Sequence, residues 1–123
     1  MAQEYTASPL DPATKISQFV STFNAEIDDL TAIFSETASF SLTHGGFYKV
    51  NATSGAVTVT LPAASSNTGM RVCIKKTDSS ANAVTIDGNG SETIDGAATK
   101  ALTSQYDFSC LVCDGTEWFI VGG

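Results

Sequence analysis

The sequence predicts a mainly β protein: an antiparallel β-sandwich or jelly-roll-like domain preceded by an N-terminal arm and one amphipathic helix. Three observations carry that expectation. The chain has 123 residues, enough for one core and too few for two with a linker. Its hydrophobic period changes from helical to two after Phe40. From there on, short alternating runs are separated by Gly, Asn, Asp and Ser clusters, the punctuation of closely spaced strands.

Residues 1–11 form the arm. They have no period, carry Pro9, and offer only Tyr5 and Leu10 as sizeable apolar anchors. Asp11-Pro12 then signals a helix start, because Asp can accept a first-turn amide and Pro at the first helical position forfeits no intrahelical donor. The helix is expected over residues 12–36. Ile16, Val20, Phe23, Ile27, Leu30 and Phe34 follow in alternating steps of four and three along a single stripe, which Phe19 and Ile33 widen. Two burial sites are open to that stripe, the chain's own β-domain or the same helix of other subunits. The strict alternation favours self-association. Asp28 and Asp29 point about 100° apart and read as a solvated face rather than an acid–base pair.

The β-domain is expected over residues 44–123, entered through the turn His44-Gly45-Gly46. Phe47 to Asn51 is a first strand. Ala56 to Leu61 alternates Val57, Val59 and Leu61 with Thr58 and Thr60, and Pro62 ends it. Met70 to Lys76 and Ala83 to Asp87 follow. Thr85-Ile86-Asp87-Gly88 returns as Thr93-Ile94-Asp95-Gly96, which suggests a hairpin whose arms end in similar Asp-Gly turns. After a strand beginning at Leu102, Phe108 to Cys113 and Trp118 to Val121 flank the turn at Asp114-Gly115-Thr116 as a terminal hairpin. Both runs are apolar at successive positions, so both of their faces need cover, and one cover is expected to be another subunit.

Charge and chemistry narrow the function. A net charge of -7 lacks the phosphate-neutralising term of nucleic-acid binding. No apolar run approaches the roughly 20 residues of a membrane-spanning helix. The opening MAQEYTASPLDPATK lacks the basic start and apolar stretch of a signal peptide, so synthesis without secretion is expected, with Cys73, Cys110 and Cys113 as reduced thiols. His44 is the only histidine and reads as a turn residue. Cys110 and Cys113 sit in a strand pattern with odd separation and should face opposite ways, unlike a redox motif at a helix start. Asp87, Asn89 and Ser91 resemble the start of a calcium loop, but Glu92 stands where the turn glycine belongs and Ala98 where the bidentate Glu belongs. Asp87, Glu92, Asp95 and Asp107 are each explained by a turn or an exposed strand face. No enzyme activity, metal or cofactor is expected.

From Gly55 to Gly122 the chain resembles a β-rich module recurrent in bacteriophage virion proteins, above all tail fibres and small head-surface proteins. The residues that carry the resemblance are Val59-Thr60-Leu61-Pro62-Ala63, Lys75-Lys76-Thr77-Asp78, the Thr-Ile-Asp-Gly pair, and Asp114-Gly115-Thr116-Glu117-Trp118. It transfers no catalytic residue. It implies a homotrimer, matching the helical stripe, and a virion location. With no long shaft before the module, the leading expectation is a capsid decoration or cement protein on the outer head surface, bridging major capsid subunits. Ile16, Val20, Phe23, Ile27, Leu30, Phe34, Trp118 and Ile120 would form the trimer interface, and Tyr5 and Leu10 the capsid attachment. The alternative is a short tail fibre or tail tip whose loops Ser65 to Gly69 and Asp87 to Glu92 contact host glycans.

Overall fold

The computed structural model of the protein describes residues 32–123; the chain divides into two units, Met1–Leu30 and Thr31–Gly123. The arm, with Tyr5 and Leu10, and the stripe residues Ile16, Val20, Phe23, Ile27 and Leu30 therefore lie outside the described residues.

Nine strands follow: β1 (Ile33–Glu36), β2 (Phe40–Ser41), β3 (Gly46–Val50), β4 (Val57–Thr60), β5 (Arg71–Lys76), β6 (Val84–Asp87), β7 (Thr99–Leu102), β8 (Phe108–Cys113) and β9 (Trp118–Gly122). They form a five-stranded sheet ordered β1-β3-β5-β8-β9 and a four-stranded sheet ordered β2-β4-β6-β7. The first six strands alternate between the sheets, so β1, β3 and β5 run parallel in one and β2, β4 and β6 parallel in the other. Parallel neighbours need a crossover, and here the crossover is a strand of the opposite sheet. The chain thus winds three times round one core. Its last three strands close the structure antiparallel, β7 on β6, β8 on β5 and β9 on β8.

The mainly β expectation is met, and the antiparallel one is corrected to two mixed sheets. A strand's own alternation reveals which residues face the core but not the direction of its neighbour. Inward residues of both sheets share one cluster that includes Val50, Val59, Ile74, Ile86, Leu111 and Trp118.

A second correction concerns the expected helix. Residues 33–36 are strand, and β-structure starts before position 44. Phe34 does not continue a helical seam: its ring stacks on Tyr48 at 4.6 Å between centroids and packs against the core. The segment Ile33-Phe34-Ser35-Glu36 satisfies both periods, since Phe34 lies four residues after Leu30 and also alternates with Ile33 and Ser35. The β3 edge decides, because it supplies backbone partners along Ile33↔Phe47 to Glu36↔Val50. Trp118 is likewise no seam residue. It is fully buried within its own domain, and Ile120 packs against the same core.

The Thr-Ile-Asp-Gly echo is not a pair of hairpin arms. β6 pairs with β7, whereas Ile94 and Ala97 close a tight turn through reciprocal hydrogen bonds of 2.7 and 3.0 Å. The central residues of that turn, Asp95 and Gly96, have φ of 50° and 84°, the type I′ pattern for which Asp-Gly is suited. Beyond the turn, Trp118 N–H donates to the Thr93 carbonyl, Asp95 N–H to the Trp118 carbonyl, and Ile120 N–H to the Asp95 carboxylate. The outer edge of β9 is thereby occupied from Trp118 to the Ile120 amide and cannot recruit another strand there.

At the end of β5 the Lys76 side chain turns inward and is fully buried, with Nζ 2.7 Å from Asp78 Oδ2. The Asp78 carboxylate also accepts the Ala52 amide at 2.7 Å, the Ser80 amide at 3.0 Å and the Ser80 hydroxyl. Asn82 Nδ2 donates to the Ala52 carbonyl at 2.8 Å. This knot ties the β5–β6 turn to the β3–β4 turn, joining successive windings. Burial pushes the Asp78 carboxyl up, but the bonds from Lys76, Ser80 and the Ala52 and Ser80 amides outweigh it and hold it well below the usual carboxylate range.

Candidate binding face

Alternation sends one residue set of the five-stranded sheet into the core and the other outward. The outward set is Ile33 and Ser35 on β1, Phe47 and Lys49 on β3, Arg71, Cys73 and Lys75 on β5, Phe108, Cys110 and Val112 on β8, and Phe119 and Val121 on β9. The pairings Ile33↔Phe47↔Cys73↔Cys110, Ser35↔Lys49↔Lys75↔Phe108 and Arg71↔Val112↔Phe119 place them in three rows. A register shift after Cys110 sets Gly122 opposite that residue and leaves Val121 as the extra one.

The large hydrophobics exposed among the described residues are Ile33, Tyr106, Phe108, Phe119 and Val121, between 42% and 67% exposed. Four of them belong to this face, and Tyr106 stands at its rim, two residues before Phe108. Tyr106 has φ of 69°, a left-handed backbone that costs a non-glycine residue energy and turns its side chain out of the β7–β8 connection. Lys75 Nζ lies 5.5 Å from the Tyr106 ring centroid and 5.4 Å from that of Phe108, within cation–π range of both.

The charged part of the face is entirely cationic. Lys49, Arg71 and Lys75, three of the five Lys and Arg in residues 32–123, project from it, and no Asp or Glu holds an outward position on its strands. Lys49 and Lys75 are direct neighbours across β3 and β5, an arrangement that costs energy without an anion nearby. Asp107, next to Phe108 in sequence, turns its carboxylate back to the Thr103 and Ser104 amides at 3.1 and 2.9 Å. Those bonds hold its carboxyl below the usual range.

Cys73 and Cys110 meet in the middle row, 4.0 Å apart at Cα, and are joined as a disulfide. The expectation of three reduced thiols is corrected for these two. Directly opposed antiparallel residues at a close pair bring their side chains together, a relation that the sequence separation of 37 conceals. Cys113 remains free and buried, with its Sγ 3.5 Å from the Ala64 carbonyl. Burial pushes its thiol up, which suppresses the reactive thiolate.

Several other polar side chains serve the backbone. Both Glu92 oxygens accept the Ala64 amide, Glu117 accepts the Thr93 amide and hydroxyl, and Asp114 accepts the Thr116 and Glu117 amides. The bonds to Asp114 hold its carboxyl below the ordinary range. Asn89 donates to the Leu61 carbonyl at 3.4 Å, and Asp95 plugs the β9 edge. His44 is exposed in its turn, its carbonyl accepting the Tyr48 hydroxyl at 2.8 Å. The sequence pointed to the terminal strands as needing a second cover, and Phe119 and Val121 are the side chains concerned. It did not point to Ile33, Lys49 or Tyr106, because their common face exists only once β1, β3 and β5 are parallel neighbours. No known protein family and no curated protein matches the chain.

Proposed function

We propose that this chain is a non-enzymatic structural protein of a bacteriophage virion: a homotrimeric capsid decoration protein on the outer head surface that bridges major capsid subunits. The observation that carries this reading is the apolar and cationic face of the five-stranded sheet. A monomer gains nothing by exposing two phenylalanines, a tyrosine, an isoleucine and a valine together, whereas a protein working by contact needs such a surface. The resemblance over residues 55–122 supplies the setting. In this reading the two sheets pack as a sandwich-like body, the stripe Ile16, Val20, Phe23, Ile27 and Leu30 holds three copies together, and Tyr5 and Leu10 contribute to attachment. Many copies, each adding modest contact area across a subunit junction, make the shell harder to burst.

A tail fibre or tail tip is the second reading. The exposed Tyr106 and Phe108 rings favour it, since aromatic faces also stack against sugars. Copy number in purified particles separates the two: hundreds of chains per particle support the head, about six to eighteen support the tail, and none refutes both. Sedimentation tests the trimer. Ile27→Asp should yield monomers whose β-structure is partly intact, and an unchanged mass would exclude the helical seam.

A further inference from the structure

We infer that the outward face of the five-stranded sheet is a docking surface for a different protein whose complementary surface is apolar and acidic. The inference rests on the reading as a structural protein only for the kind of particle in which that partner occurs.

Three features of the face select this occupant. Five strands about 4.8 Å apart and about 17 Å long give the whole face roughly 400 Å² in projection, room for one contact surface. Its apolar side chains, Ile33, Phe108, Phe119 and Val121, require apolar contact. Its only charges, Lys49, Arg71 and Lys75, require carboxylates, and none of its own strands presents one outward.

The same features argue against a second copy of this domain. Packing like face on like face brings cations onto cations, a juxtaposition that disfavours association. Packing the face on another side of the domain fails differently. The acids away from the face, Asp87, Glu92, Asp114 and Glu117, lie at β6, the β6–β7 connection and the β8–β9 turn, whereas the exposed large hydrophobics among the described residues are all at or beside the sheet face, so those four acids come with no exposed large apolar side chain. A glycan fits the face less well, because its exposed Ile33, Phe119 and Val121 side chains offer a sugar no hydrogen bond.

Lys75 is the centre of the specificity. Held between the Tyr106 and Phe108 rings, its ammonium is kept at the surface and partly stripped of water, so a carboxylate landing there meets an ordered cation beside an apolar floor.

The test uses the full chain, isotopically labelled, titrated with a Leu/Glu amphipathic peptide and followed by amide chemical shifts. Shifts confined to Ile33, Lys49, Arg71, Lys75, Phe108, Phe119 and Val121, weakened by added salt and absent with a matching Leu/Lys peptide, support the inference. Lys49→Glu with Lys75→Glu should weaken binding by about tenfold or more, and Phe119→Ser with Val121→Ser comparably. Emission from the single, fully buried Trp118 verifies that each variant is folded, and Lys49→Gln with Lys75→Gln replaces the reversal if it unfolds the chain. Equal response to the two peptides, or shifts elsewhere, overturns the inference. So does the same shift pattern on raising the protein concentration without peptide, which identifies a second copy, or tighter binding of a uronic-acid tetrasaccharide. Absence of the chain from purified particles would refute the virion reading while leaving the peptide result to decide this one.

Discussion

Replacing Asp78 with alanine tests whether the Lys76 knot holds the windings together. The substitution leaves the fully buried Lys76 ammonium without its partner 2.7 Å away and frees the Ala52 and Ser80 amides. Breaking one side of a buried ion pair costs about 3–5 kcal/mol. For a domain near 90 residues, each kcal/mol moves the melting midpoint by about 4–8 °C, so about 4 kcal/mol corresponds to a loss of roughly 16–32 °C. Lys76→Met should cost less, because the Asp78 carboxylate keeps both amides and the Ser80 hydroxyl, whereas in Asp78→Ala the charge is stranded. The pH dependence carries the same signature. A carboxyl held below its unfolded value stabilises the protein fully above about pH 4, and that contribution is lost as pH falls through the lower folded value. Asp78→Ala should therefore lack this part of the acid-induced loss. The assay is thermal unfolding followed by Trp118 emission from neutral to strongly acid pH. A midpoint within about 3 °C of the parent at pH 7, or Lys76→Met proving worse than Asp78→Ala, would refute the reasoning.

Other perturbations have equally definite outcomes. Cys73→Ser with Cys110→Ser removes a cross-link closing 37 positions of chain, and the loop-entropy relation gives a loss of about 4 kcal/mol, readable as a lower denaturation midpoint that reductant does not lower further. In the unreduced, unfolded parent, alkylation should label Cys113 alone. Tyr106→Asn should raise stability by up to about 1 kcal/mol in thermal unfolding, since asparagine tolerates the left-handed backbone at 69°. Gly88→Ala should lower the midpoint, because a Cβ at that position would collide with the Glu92 carbonyl oxygen in the loop leading to β7.

Strand positions were the most legible part of the fold. Val57, Val59, Val72 and Ile74 announce themselves by alternation, Leu111 and Trp118 lie in continuous apolar runs, and the terminal turn at Asp114-Gly115 falls where its residues predict. Strand partners were not legible. The alternation of Ile74 is the same whether β5 lies beside a parallel or an antiparallel neighbour, and only the register with Tyr48 on one side and Ser109 on the other settles it. The same gap hid the disulfide and most of the binding face. Cys73 and Cys110, like Lys49 and Lys75, become neighbours through pairing across distant segments. Lys76 was hidden for another reason: lysine at a strand end usually signals solvent, and here Asp78, two residues on, draws it inward.

The interleaved strand order also dictates when this protein can fold. Residues through Asp87 contain all three windings but leave β5 and β6 as open edges, and the strands that seal them, β7 and β8, are made only afterwards. On a ribosome the nascent domain therefore keeps the β5 and β6 edges exposed until β7 and β8 have emerged. A product truncated near Ala98 should accumulate as insoluble aggregates rather than as a smaller folded protein.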